Sequence, residues 1–111
     1  MYVEDLIEKL DFKLVTKGTT LSKQITGLYY GDLLSWVMSR AKQGNAWITV
    51  QTHVNTIAVA TLIEMSCIII PESIEIDHDT INRANQEDIT ILSTNLDAYQ
   101  IFCKIYEAGL K

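Results

Sequence analysis

The order of elements along the sequence predicts an α/β protein with three layers and a mainly parallel sheet. Three observations carry that reading. From about residue 25 strand-like and helix-like stretches alternate four times over, the pattern of a sheet with right-handed crossovers and helices on both faces. The strand candidates "NAWITV" and "SCIIIPE" are short, apolar on nearly every position and rich in Ile, which suits strands covered from both sides. The helix candidates carry their apolar residues at spacings of three and four.

The elements follow in chain order. "VEDLIEKLDF" places Val3, Leu6, Ile7 and Leu10 on one stripe and its charges on the other, an amphipathic helix. "DFKLVT" alternates and meets Lys17-Gly18, so it reads as a short strand near an edge. "TTLSKQ" is a polar loop, and "ITGLYYG" is the next strand. Asp32 reads as the N-cap of "LLSWVMSRAKQG", with Leu33, Trp36, Val37 and Arg40 on one face and Gly44 at C′. After the "NAWITV" strand, "NTIAVATLIEM" reads as a helix with Ile57, Ala58, Leu62 and Met65 inward. "SCIIIPE" is a central strand ended by Pro71. Asp77 or Asp79 caps a helix in which Ile81 and Ala84 face the sheet. "ITILST" is the last strand. Asn95 is expected to cap a last helix with Leu96, Tyr99, Phe102, Cys103 and Tyr106 inward, stopped by Gly109. The whole chain, 1–111, is expected to be one domain, with 1–20 an N-terminal helix and edge strand and 21–110 the core.

Composition bounds the function. The 111 residues are 48% hydrophobic and 21% charged, an ordinary globular balance. The net charge of −5, with no basic stripe, points away from nucleic acid and anionic membrane. "MYVEDLIEKL" lacks the basic and apolar regions of a secretory signal, and no apolar run is long enough to span a bilayer. Cys67 and Cys103 lie in apolar runs and read as reduced thiols, so the protein is expected in the cytoplasm.

In open α/β sheets ligands bind beyond the carboxyl ends of the strands. That rule selects Gly31 and Asp32, then Gln51, Thr52, His53 and Asn55 in "QTHVNT", then Glu72 and Ser73, then Thr94 and Asn95. The candidate ligand-binding residues are Asp32, Thr52, His53, Asn55 and Thr94, several of them at helix N-termini where an anion is favoured. Each also has a local role open to it. Asp32 and the Thr94-Asn95 pair are natural caps, and Thr52 or Asn55 can cap the helix after the third strand. His53 can bond nearby backbone, but a cap does not require a titratable ring. The aromatics of "LYY" and "SWVM" read as core or subunit interface. There is no phosphate loop, no GxGxxG and no nucleophile elbow. His53 and His78 are not spaced as a metal pair. No catalytic residue, metal ligand or cofactor is therefore assigned.

"GDLLSWVM", "AWITVQTHVNTIAVA", "CIIIP" and "ITILSTNLDAYQI" resemble the DRTGG domain family over roughly residues 21 to 110, and in particular its small stand-alone bacterial members. The family is also similar to the N-terminal domain of HPr kinase/phosphorylase. Its members stand beside phosphotransacetylase domains and between CBS domains of some inorganic pyrophosphatases. The resemblance implies a three-layer α/β/α fold and a non-catalytic regulatory role, often with dimer contacts. Where typical members carry Gly-Asp-Arg this chain has "QTHVN", and where they carry Thr-Gly-Gly it has Pro71-Glu72-Ser73. The expected function is a regulatory, ligand-binding module for a small anionic metabolite or nucleotide, acting through a homodimer or a partner enzyme. The alternatives are a purely structural dimerisation scaffold built on "LYYGDLLSWVM", or a phosphotransfer protein with His53 as acceptor.

Overall fold

Two strands that are buried on every residue dictate the layout: β3 (Asn45–Ile48) and β4 (Cys67–Ile70). A strand with apolar side chains on both faces requires a layer against each. In the computed structural model, which describes residues 1–110, those layers are helical. The sheet has five strands in the order β1 (Lys13–Leu14), β5 (Thr90–Ser93), β4, β3, β2 (Gly27–Tyr30). β2 to β5 are parallel, and β1 runs antiparallel along β5 at one edge. The mainly parallel sheet, the edge position of the first strand and the central position of "CIII" follow the sequence reading.

β2 to β5 lie side by side in chain order, so each crossover has the same hand and lands on the same face. α2 (Leu34–Arg40), α3 (Asn55–Ile63) and α4 (His78–Glu87) form that layer. They pack Val37, Ile57, Val59, Ala60 and Ala84 onto Trp47, Ile68, Ile70 and Ile91. The opposite layer is α1 (Val3–Glu8) with α5 (Ala98–Glu107). It packs Val3, Leu6, Ile101 and Ile105 onto Ala46, Ile48, Cys67, Ile69 and Leu92. Alternate residues of each strand thus feed two separate cores, as the period of two demands. The segment between β1 and β2 is fastened at the far end of the sheet. Thr16, Thr19 and Thr90 share a buried chain of hydroxyl bonds, and Asp88 accepts from the Thr20 N–H at 2.6 Å and its hydroxyl at 2.8 Å. Burial alone would raise the Asp88 carboxyl, but these bonds and the nearby Lys23 ammonium hold it below its ordinary value.

Several helix faces differ from the expected ones. In α2 only Val37 is buried, while Leu33 and Trp36 are exposed. In α3 the inward set is Thr56, Ile57, Val59 and Ala60; Ala58 and Leu62 face outward, and Met65 is buried from the turn beyond the helix. In α4 the buried residues are Thr80 and Ala84, with Ile81 half-buried. α5 turns Ile101 and Ile105 inward and leaves Tyr99 and Tyr106 exposed. Its cap is Asp97, which accepts from the Gln100 N–H while the Gln100 side chain accepts from the Asp97 N–H, a reciprocal box that displaces Asn95 from the role. Gly44 does not close α2, which ends at Arg40. It makes the turn into β3 with φ +81°, and a Cβ there would lie 2.6 Å from the Thr26 methyl carbon.

Cys67 lies at the centre of the sheet and is fully buried. Burial pushes its thiol up to about 12, against a small opposing pull from Lys23. A raised folded value means that the folded state holds this proton more tightly. The stability it confers is complete below the ordinary value of 9.0 and is lost as pH climbs toward about 12. Cys67→Ala is expected to lower stability at neutral pH, by opening a cavity, yet to lose less of what remains between pH 9 and 12. Urea unfolding at several alkaline pH values checks this; parallel declines for both proteins would contradict it.

Candidate functional site

The carboxyl ends of β2 to β5 present four loops, and each is bonded to a neighbour. Asp32 follows β2 but does not cap α2; the cap position belongs to Leu33, which has no side-chain acceptor. Instead Asp32 Oδ1 accepts from the Thr49 hydroxyl at 2.8 Å and the Val50 N–H at 3.0 Å. Its carbonyl accepts from Gln51 Nε2 at 3.1 Å. The carboxylate therefore ties the first loop to the exit of β3. Thr52 passes the link onward, its carbonyl accepting from the Thr80 hydroxyl of α4 at 2.6 Å.

The cap position of α3 is Val54, which offers no side-chain acceptor, so neither Thr52 nor Asn55 caps the helix as expected; His53 bonds the backbone at its entry. Its Nδ1 accepts from the Asn55 N–H at 3.2 Å, and its carbonyl accepts from the Thr56 N–H at 3.0 Å. The His53 and Asn55 side chains both face solvent. Thr94 sits two strands away from β3 and turns inward. Its hydroxyl accepts from the Leu96 N–H at 3.3 Å and its N–H donates to the Ile70 carbonyl at 3.1 Å. Asp32 and the "QTHVNT" segment are thus brought together, and Thr94 is held apart from them by the β4 loop.

That β4 loop lies where adjacent chains leave the sheet toward opposite faces, α4 to one layer and α5 to the other. Such a divergence usually opens a crevice. Here the Glu72 N–H donates to the Leu96 carbonyl and the Ser73 N–H to the Thr94 carbonyl, both at 2.9 Å. To aim those groups, Glu72 and Ser73 adopt φ +58° and +53°, a left-handed conformation that favours glycine.

The open ground lies on the other side of "QTHVNT". A hollow of about 360 Å³ is lined by Val54 and by Asp79, Asn82, Arg83 and Gln86 of α4. Asn82, Arg83 and Gln86 were not among the residues selected from sequence. They sit one helix removed from any strand end, and only their i, i+4 companionship with His78, Asp79 and Asn82 on one helix marks them. Arg83 is the one guanidinium or ammonium lining this hollow, with planar donors suited to a carboxylate or phosphate.

The family model of the DRTGG domain matches residues 5–108. The chain belongs to the DRTGG domain family. No curated protein matches this sequence. Among solved structures, this DRTGG domain is similar to the CBS and DRTGG domains of the regulatory region of Clostridium perfringens pyrophosphatase, complexed with the activator diadenosine tetraphosphate. The TM-score is 0.66 at 12% identity, over 91% of this chain and 44% of that one, so the likeness is one of fold and the chain spans less than half of that region. Among the described residues no helix is long and apolar enough to cross a membrane.

Two outcomes are expected. Asp32→Ala leaves the Thr49 hydroxyl and Val50 N–H without their acceptor, which costs about 1–3 kcal/mol; an unchanged urea midpoint would show that these bonds do not hold the loops. Glu72→Gly and Ser73→Gly each remove about 1–2 kcal/mol of left-handed strain, offset by about 0.5–1 kcal/mol of extra unfolded-state freedom. Each is expected to raise the melting midpoint by a few degrees, and a fall would mean that the side chains contribute more than the strain costs.

Proposed function

We propose that this DRTGG domain is a non-catalytic regulatory module of the cytoplasm. It senses a small anionic metabolite or nucleotide at the β3–α3 corner and passes the change to a second copy or a partner enzyme. The single observation that carries this is the bonding along the strand-end rim, of the β2 loop to the β3 exit, of the β3 loop to α4 and of the β4 loop to the β5 loop. A ligand that orders His53 and Asn55 pulls on Thr52, and through it on α4; Gln51 and Asp32 carry the same change to α2. His53, Asn55 and Arg83 would meet the anion, while Asp32, Thr52 and Thr94 hold the rim in shape. Support from outside the chain is coarser: a similar fold serves in a regulatory region that was captured with a dinucleotide activator.

Thermal-shift measurements with nucleotides, diadenosine tetraphosphate, acyl phosphates and common carboxylate metabolites test the reading. A ligand at about one hundred times its dissociation constant stabilises by about 2.7 kcal/mol, which for a domain of this size is a rise of several degrees. The rise is expected to vanish in both His53→Ala and Arg83→Ala. A rise that survives both variants would move the ligand elsewhere. No rise with any compound would favour the scaffold reading, for which the exposed Tyr30, Leu33 and Trp36 already speak.

A further inference from the structure

α5 carries more apolar surface than the core uses. Ile101 and Ile105 are fully buried, and a second stripe, Tyr99, Phe102 and Tyr106, runs beside them. Spacings of three and four residues keep that stripe on one side of the helix. It stands beside β2, the last strand of the sheet at this edge. Between the stripe and Gly27-Leu28 lies a cleft of about 420 Å³, on the α1–α5 face of the sheet and of a size that suits a small molecule. Tyr30 braces one wall. It meets Phe102 edge to face at 6.2 Å, with the ring planes 74° apart.

Three rings along a cleft suit many apolar bodies, and charge decides between them. Among the described residues that line the cleft, Glu107 is the one that carries a charge. Its carboxylate forms no ion pair with Lys104, three residues before it, or with any other described residue. The cleft also reaches the carboxyl end of α5, the negative end of the helix dipole. An anion is therefore repelled here and a cation drawn in. The ring faces act in the same direction, since each carries the negative part of its quadrupole. The kind of cation follows from what the lining lacks. A metal ion or a primary ammonium must replace its water with several oxygens, and this lining is mostly apolar. A fully methylated ammonium has no N–H to satisfy, and its methyl groups carry the charge against the rings.

We propose that this cleft binds a small organic cation of the quaternary ammonium class, with its methyl groups against Tyr99, Phe102 and Tyr106 and its charge toward Glu107. The site does not depend on the anion reading of the β3–α3 corner. The two ligands differ in sign, and the two sites share no residue. A cation is also the ligand that a chain of net charge −5 attracts from a distance.

The test uses the full chain and choline chloride, with sodium chloride at equal ionic strength as the control. The paired probe is the neutral dimethylbutanol in which a carbon replaces the choline nitrogen. Amide resonances of α5 report binding. Choline is expected to shift those of Tyr99 to Glu107 and to saturate below about 20 mM, with the neutral alcohol bound about tenfold more weakly. Glu107→Gln is expected to weaken choline about threefold and to leave the alcohol unchanged. Tyr99→Ala, which removes one wall, is expected to weaken choline by a similar factor, with circular dichroism confirming the fold of each variant. No saturable shift in that range would overturn the proposal. Equal affinity for the two probes would also overturn it, by reducing the cleft to an apolar slot. A choline affinity indifferent to both substitutions would place the cation elsewhere on the surface. Resonances of α5 that move on dilution of the protein and not with choline would give the cleft to a second copy and sink the idea as well. Thermal shifts with anions are expected to be the same in Glu107→Gln and Tyr99→Ala as in the parent chain, so the two readings fail separately.

Discussion

Everything in this molecule hangs on the double-sided burial of β3 and β4. Their residues alternate between two cores, so neither layer of helices is optional. Removing α1 and α5 would expose Ala46, Ile48, Cys67 and Ile69, and removing α2 to α4 would expose Trp47, Ile68 and Ile70. The sequential strand order then decides where the layers come from. Three crossovers of one hand build one layer, and the chain must bring its two ends together to build the other. The isolated bridge of Tyr2 with Gln24 and the bonds from Asp88 to Thr20 follow from that need, because the N-terminal helix reaches its face only if the long connection into β2 is fastened down.

The same order shapes the strand-end loops. With all three crossovers on one face, the loops after β2 and β3 leave in one direction, close enough to bond each other and, through Thr52, the start of α4. Asp32 serves this geometry better than it would serve α2. One carboxylate oxygen satisfies both a hydroxyl and a backbone N–H from the adjacent strand. A cap would have satisfied only helix donors and left the β3 exit unsupported. His53 accepts from the first N–H of α3 and keeps the rest of its ring in solvent. The rim therefore exposes one side chain that already bonds the start of a helix.

The sequence was most legible where burial leaves no choice. "AWI" and "CIII" are apolar on consecutive residues, and both are central strands. The fold class and the parallel order followed from these and from the alternation of elements. Helix faces were less legible because α5 has two apolar stripes. Ile101 and Ile105 face the core, while Tyr99, Cys103 and Tyr106 run alongside, and spacing alone ranks the larger residues first. Only the sheet, by supplying Leu92, Ile69 and Cys67 as partners, tells the stripes apart. The Asp97 cap was readable, since Gln100 stands three residues on. The bonding of Asp32 was not, because it depends on the spacing of β2 and β3. The place of Arg83 beside Val54 was not legible either, for it comes from the packing of α4 on α3.

Pro71-Glu72-Ser73 makes the turn out of β4 with two residues in the left-handed region. Glu72 and Ser73 keep a conformation suited to glycine while lacking glycine's freedom. The shape of the turn has a use within the chain: it aims two N–H groups at the carbonyls of Leu96 and Thr94. N–H groups committed in this way cannot also cradle an anion. In this chain the β4–β5 corner acts as a latch between loops bound for opposite layers. The β3–α3 corner is the open one, with His53 and Asn55 exposed and Arg83 bordering the hollow beside Val54.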